Sequence, residues 1–223
     1  MKLSKETLSL IKNYASINSN LLIKPGSKLS TIAVGNTIMS TVTVPEVFTH
    51  QFGIYDVNEF LGALSLFNDP DLEFDDKFVT IKEGSSSIKW FGASESAMVT
   101  PKKDITFPDA EIEFTLPTAV LNNILKTAPI LKATDVSFVG NGSTLSVQVA
   151  DKKNATSNAY TYELGTTSLV FKVNIKIENL KMLGGDYDVS ISSKKISRFK
   201  AKTQSDLVYY VAVEADSLFE FAA

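Results

Sequence analysis

The chain has 223 residues, enough for one large all-β domain or two of ordinary size, and its 44% apolar content is sufficient to build a core. It contains no cysteine, which excludes disulfides, thiolate metal centres and cysteine nucleophiles. With 25 acidic against 22 basic residues the net charge is −3, which speaks against a tight grip on nucleic acid unless the lysines are segregated from the acids. No long apolar run and no charged-then-apolar leader occurs, so a soluble, unexported protein is expected.

In chain order, Ser4 is a good N-cap and Glu6 suits a first helical turn. Leu8, Ile11 and Ala15, flanked by Leu10 and Tyr14, predict the buried side of this helix. Lys5 and Lys12 lie two turns apart on the other. β-Branched stretches at 22–23, 29–34 and 37–44 predict strands, separated by turns at Pro25-Gly26 and Gly35-Asn36. Residues 48–55 predict a further strand leading into a second helix. There Asp56 is the N-cap, and Val57, Phe60, Leu61, Leu64 and Phe67 form the apolar stripe. Glu59, Gly62, Ala63 and Leu66 are expected on its outer face. A hairpin over 78–82 and 86–91 turns at Glu83-Gly84.

Residues 94–110 change character, with two prolines, small residues and no period, and are expected to link a first domain (1–93) to a second (111–223). The pattern then restarts. Pro117 opens a helix with Val120, Leu121, Ile124, Leu125 and Ala128 inward and Lys126 outward, and Pro129 is expected to end it. Strands are predicted at 136–139, 144–149, 159–164 and 169–175. A shorter helical stripe follows at Ile177, Leu180 and Leu183, closed by Gly184-Gly185, and then strands at 187–192, 198–202 and 207–214. The order helix, strands, helix, strands thus occurs twice at an offset of roughly 115–120 residues, the signature of an internal repeat.

No catalytic constellation is present. His50 is the single histidine, and the acidic run Asp69 to Asp76 fails as a calcium loop. Counted from Asp71, Asp76 stands where glycine is required and Lys82 where glutamate is. Nucleotide-binding glycine motifs are absent, and Asn154-Ala155-Thr156, a glycosylation triplet, carries no meaning in an unexported protein. Neither an enzyme nor a cofactor or metal site is expected. The remaining feature is a set of lysines on or near predicted helices, Lys5, Lys12, Lys126, Lys132, Lys176 and Lys181, while acids gather at 69–76 and near the C-terminus.

One set of segments resembles a known family. The stretch IYDVNEFLGALSLFND from Ile54, together with MKLSKETLSLIKNYASINS at the start, NLKM and GDYDVSI after Asn179, and YYVAVEADS near the end, is similar to the sliding clamps of T-even-like bacteriophages. The resemblance runs in order along most of the chain. It implies an α+β fold of two tandem clamp-type domains, each with helices on one face of antiparallel sheet, assembling into a ring. It further implies a homotrimer that encircles double-stranded DNA and tethers the replicative DNA polymerase after a clamp loader has placed it, in the cytoplasm of the infected bacterium. The six lysines would then face DNA. Partner peptides would insert beneath the linker against Val99, Ile105, Phe107 and Pro108, with Tyr209 or Tyr210 of the last strand, whose side chains alternate, completing the pocket. Edge strands 86–91 and 160–164 are candidates to pair between subunits. The apolar tail 218–223 is expected in or near the peptide pocket. A virion structural or adhesion protein, and a single-stranded DNA binder with exposed stacking aromatics, are the other readings that repetitive β-domains allow.

Overall fold

In the computed structural model, residues 1–154, 156–204 and 206–221 are described, so Ala155 of the glycosylation triplet, Ser205, and Ala222 and Ala223 of the tail lie outside the described residues. The chain divides into two units, Met1–Asp104 and Ile105–Ala223.

The first unit opens with α1 (Lys5–Ile17), capped by Ser4, whose side chain accepts the Thr7 N–H. Its buried residues are Thr7, Leu10, Ile11, Tyr14 and Ile17, whereas Leu8 and Ala15 are only half-buried. The helix is rotated from the predicted face because two polar side chains find interior partners. Thr7 donates to Glu46 at 2.5 Å, and the Tyr14 hydroxyl meets Ser40 at 3.1 Å. Apolar periodicity places Tyr14 beside the buried side but does not count Thr7 as inward-facing.

β1 (Leu21–Ile23) is followed by β2 (Gly26–Ile32) and β3 (Ile38–Phe48), an antiparallel pair with a bulge after Gly26, whose φ of 111° favours glycine. The predicted strand over 48–55 is interrupted: β3 ends at Phe48, and β4 (Phe52–Ile54) turns away to pair with β1. α2 (Val57–Leu64) starts on Asp56, which accepts from the Asn58 and Glu59 N–H groups. It ends at Ser65, before Phe67. Ala63, expected outside, is buried, and Leu61 is only half-buried. The antiparallel sheet of β5 (Asp71–Phe74), β6 (Phe78–Glu83) and β7 (Ser86–Phe91) closes the unit. Residues 94–104 fold with it: Met98 and Thr100 are buried, and Asn18 and Asn20 hold the Val99 backbone by hydrogen bonds of 2.8 and 2.9 Å.

The second unit begins with an unanticipated strand, β8 (Ile112–Leu116). α3 (Thr118–Leu131) then runs through Pro129 rather than ending there. Proline removes one backbone donor, and only the last turn lies beyond it. Lys132, left-handed at φ 53°, terminates the helix, and the Ala133 N–H returns to the Ala128 carbonyl at 2.9 Å. β9 (Asp135–Asn141), β10 (Thr144–Ala150), β11 (Ala159–Thr166) and β12 (Val170–Lys176) form one antiparallel sheet in the order β11-β10-β9-β12.

The second short helix of this half is reduced to a single 3-10 turn, Ile177–Asn179, so Lys181 lies on an irregular segment and not on a helix. Two tyrosines take over its backbone. The Tyr187 hydroxyl donates to the Leu183 carbonyl at 2.5 Å, and the Leu183 N–H donates to the Tyr209 hydroxyl at 3.2 Å. β13 (Tyr187–Ser192), β14 (Ile196–Ala201) and β15 (Val208–Ala212) pair in sequence, with β8 on the outer side of β13. Each unit therefore contains, in order, a helix, four strands, a short helix or turn, and three strands, to which the second unit adds β8 ahead of its helix and one short strand at its end.

The C-terminal tail forms a last strand, β16 (Leu218–Phe219), on the edge of β12. Phe219 and Phe221 meet edge-to-face, and Phe221 does the same with Phe171. Gly140 makes room for this cluster: a Cβ there would lie 2.5 Å from the Phe171 ring and 2.7 Å from the Leu169 carbonyl. Lys152 fastens the approach to the tail, bridging buried Asp135 (3.0 Å) and Asp216 (2.8 Å).

Candidate functional site

The first unit places Lys5 and Lys12 on the exposed side of α1. The helix N-terminus is fixed from a distance by Glu46 of β3, which accepts the Ser4 N–H at 2.5 Å as well as the Thr7 hydroxyl. Burial pushes the Glu46 carboxyl up, but the hydrogen bonds from Ser4 and Thr7 outweigh it and hold the group below the ordinary carboxylate range. Both lysines border a cleft of about 270 Å³ between α1 and α2, with Leu8, Leu61 and Leu64 among its walls. Lys2, just before the helix, is paired with Asp69. The acidic run is therefore partly used by the fold: Asp69 takes Lys2, and Glu73 takes Lys82.

In the second unit Lys126 is exposed on the outer face of α3 and Lys132 caps its end. Lys176 is the half-buried last residue of β12, and Lys181 is exposed after the 3-10 turn. Of the six lysines, four therefore sit on or at the end of the first helix of a unit. The other two sit where β12 leaves its sheet.

Among the residues expected to receive a partner peptide, Val99 belongs to the first unit; its backbone is stapled while its side chain is 38% exposed. Ile105, Phe107, Pro108, Tyr209 and Tyr210 belong to the second. The alternation of β15 separates the two tyrosines. Tyr209 is fully buried with its ring 6.1 Å from Tyr187, and burial pushes its hydroxyl up to about 12. Tyr210 lies on the other face, its ring centroid 6.1 Å from that of Phe107. Sequence reasoning missed Arg198, whose guanidinium carbon stands 4.6 Å from the centre of the Phe107 ring and whose Nη2 donates to Ser190 at 3.0 Å. Its place opposite Tyr210 in the β14–β15 register was the only available signal, and it required the strand pairing. Ile105 and Pro108 are half-buried beside Phe107 in the chain. The described part of the tail pairs with β12 instead, so the expectation that it lies in this pocket is corrected: Phe221 packs on Phe171 and Phe219 on Phe221.

The two expected edge strands are both open. β7 pairs only with β6 and β11 only with β10 among the described residues. Each carries an exposed aromatic, Phe91 at 68% and Tyr162 at 43%.

Solved structures with this arrangement are clamps. PCNA from Thermococcus kodakaraensis superposes with a TM-score of 0.69 at 12% identity, covering 94% of this chain and 96% of that one. The A. fulgidus PCNA bound to the C-terminal region of FEN-1 gives 0.70 at 12% identity, covering 95% and 96%. The DnaN sliding clamp of Pseudomonas aeruginosa gives 0.69 at 11%, covering 99% of this chain and 66% of that one. The fold is thus the clamp fold, as the sequence resemblance implied.

Sequence comparison narrows the class. Residues 4–100 match the family model described as DNA polymerase processivity factor. The sliding clamp of Enterobacteria phage T4 is 32% identical over 230 residues, covering 99% of this chain and all of that protein. The sliding clamp of Vibrio phage KVP40 is 29% identical over 223 residues, covering 96% and 100%. The chain belongs to the phage sliding clamps, the processivity factors of DNA polymerases.

Proposed function

We propose that three copies of this chain close into a ring around duplex DNA and hold the replicative polymerase on its template, without catalysing a reaction. The observation that carries this reading is the whole-length likeness to phage sliding clamps, which runs through both units. Repetition supports it: two units per chain, each with one long lysine-bearing helix, give six such helices in a trimer. Lys5, Lys12, Lys126 and Lys132 would contact phosphates from those helices, with Lys176 and Lys181 nearby. Flexible lysines attract the backbone without reading bases, so DNA is retained by topology and remains free to slide. This reconciles the net negative charge with a DNA-associated role, because acids on the outside keep DNA off the wrong surface. Head-to-tail closure would pair β7 of one copy with β11 of the next, satisfying both open edges.

In this reading the polymerase and a clamp loader attach through apolar peptides at Phe107, with Tyr210, Arg198, Ile105 and Pro108 around it, in the cytoplasm of an infected bacterium. No helix of the described residues is long and apolar enough to cross a membrane. A virion structural or adhesion role is not favoured, since the whole-length relatives are sliding clamps.

Native mass spectrometry at micromolar concentration is the test of assembly. A mass of three chains is expected, and a monomer throughout that range refutes the ring. For the pocket, Phe107→Ala should abolish calorimetric binding of the cognate polymerase's C-terminal peptide while the trimer persists. Unchanged affinity would place the peptide elsewhere.

A further inference from the structure

Within this acidic chain, one cleft of the first unit is strongly basic. It measures about 320 Å³ and is lined by Lys24, Lys28, Lys102 and Lys103, with Pro25 and Pro101 as apolar walls. Two of the lysines are held in exposed ion pairs, Lys28 with Asp104 at 2.6 Å and Lys102 with Glu95 at 3.3 Å. Such pairs gain little over hydration and exchange readily for another carboxylate. Lys24 and Lys103 make no ion pair among the described residues and are exposed. Four cations thus converge on a cleft sized for a few side chains; Asp104 and Glu95 balance two of them, and Lys24 and Lys103 are left without an ion pair among the described residues.

The position of this cleft separates it from the helix lysines. In the β2–β3 pair, Leu29 opposes Val42 and Thr31 opposes Ser40 on one buried face, and Tyr14 of α1 binds Ser40 there. Lys28 and Ser30 alternate to the other face, opposite Thr43 and Thr41. The cleft therefore opens on the face of the pair away from α1, with its Lys5 and Lys12. A duplex lying on those two lysines is separated from the cleft by a packed helix and sheet, a layer of about 10 Å.

We infer that this cleft docks an acidic polypeptide segment, two or more carboxylates spaced along an extended chain with apolar residues between them. The carboxylates would meet Lys24 and Lys103 directly and exchange into the pairs of Lys28 and Lys102, while the apolar residues lie on Pro25 and Pro101. The site is distinct from the α1 lysines and does not depend on ring closure.

The test uses the full chain and a fluorescein-labelled octapeptide of alternating aspartate and leucine, with a lysine-for-aspartate version as control. Anisotropy should show salt-sensitive binding of the acidic peptide only. Carbodiimide coupling, read by mass spectrometry, should join it to Lys24, Lys28, Lys102 or Lys103. The double variant K24E/K103E should weaken binding by about tenfold or more, whereas K5A/K12A should leave it unchanged. Absence of binding at low salt, coupling confined to other lysines, or equal affinity in K24E/K103E overturns the proposal. A short DNA duplex that displaces the peptide from the parent chain and loses affinity for K24E/K103E would also overturn it, assigning the cleft to nucleic acid. Failure of K5A/K12A to alter DNA binding would instead count against the DNA-facing role of α1.

Discussion

The two long helices, α1 and α3, are started in parallel ways but to different depths. In both, a carboxylate from a remote part of the same unit accepts an N–H at the helix start: Glu46 takes Ser4 in the first unit, and Asp186 takes Thr118 at 2.8 Å in the second. Glu46 is 9% exposed and binds Thr7 as well, and Ser4 adds its own side-chain cap. Asp186 is exposed, and Pro117 offers no side-chain cap. The difference continues at the second helical position. The first unit keeps a packed helix there, α2, whereas the second keeps one 3-10 turn whose following backbone is satisfied by buried tyrosines. A repeated fold can thus preserve where a group is needed while changing which chemistry supplies it.

The largest difference between the units is expected in the core of α2. Leu64 is 7% exposed, and Leu64→Ala should cost roughly 2–5 kcal/mol in denaturant unfolding. A loss near zero would show that α2 contributes no more than the turn that replaces it. Next in size, Tyr209→Phe or Tyr187→Phe should each cost about 1–3 kcal/mol, because each leaves a Leu183 backbone group without its partner. If both variants melt like the parent, the tyrosines do not substitute for helical hydrogen bonds.

The caps should differ in the same direction as their burial. Glu46→Gln keeps the volume but removes a charge that accepts two hydrogen bonds, and should cost about 1.5–3 kcal/mol. Asp186→Asn, on an exposed N–H, should cost no more than about 1 kcal/mol. The pH dependence follows the sign of the shift. Because the folded Glu46 carboxyl is held below its unfolded value, its contribution is complete above the ordinary carboxylate range and is lost as pH falls through the lower folded value. Acid unfolding of Glu46→Gln should therefore be less steep than that of the parent. Equal acid limbs would show that the Glu46 charge contributes nothing to the cap.

The smallest effect on stability is expected at the helix lysines. Lys5→Ala with Lys12→Ala, or Lys126→Ala with Lys132→Ala, should change folding stability by no more than about 0.5 kcal/mol. Each pair should flatten the salt dependence of DNA binding by roughly 0.9 for every phosphate no longer neutralised. A DNA titration with an unaltered salt slope would leave these lysines as a solvated face.

The repeat, the two long helices, most strands and the N-caps at Ser4 and Asp56 were legible in the amino-acid sequence. These depend on local periodicity and capping chemistry, which neighbouring residues decide. The lysines of α1 and α3 were legible for the same reason, since exposure on a helix follows from spacing. Every feature whose partner is remote in the chain had to wait for the folded structure. Glu46 turned α1 by drawing Thr7 inward, and Tyr187 and Tyr209 let residues 180–183 abandon the helix that their apolar spacing suggested. The tail chose the edge of β12 because Gly140 and Phe171 leave an aromatic seat there. Alternation established that one of Tyr209 and Tyr210 faces Phe107, but the pairing of β15 with β14 chose Tyr210 and set Arg198 on the same ring. Local pattern limits which backbone a segment can adopt; contacts between distant segments, absent from any sequence window, select which faces are buried and which side chains meet.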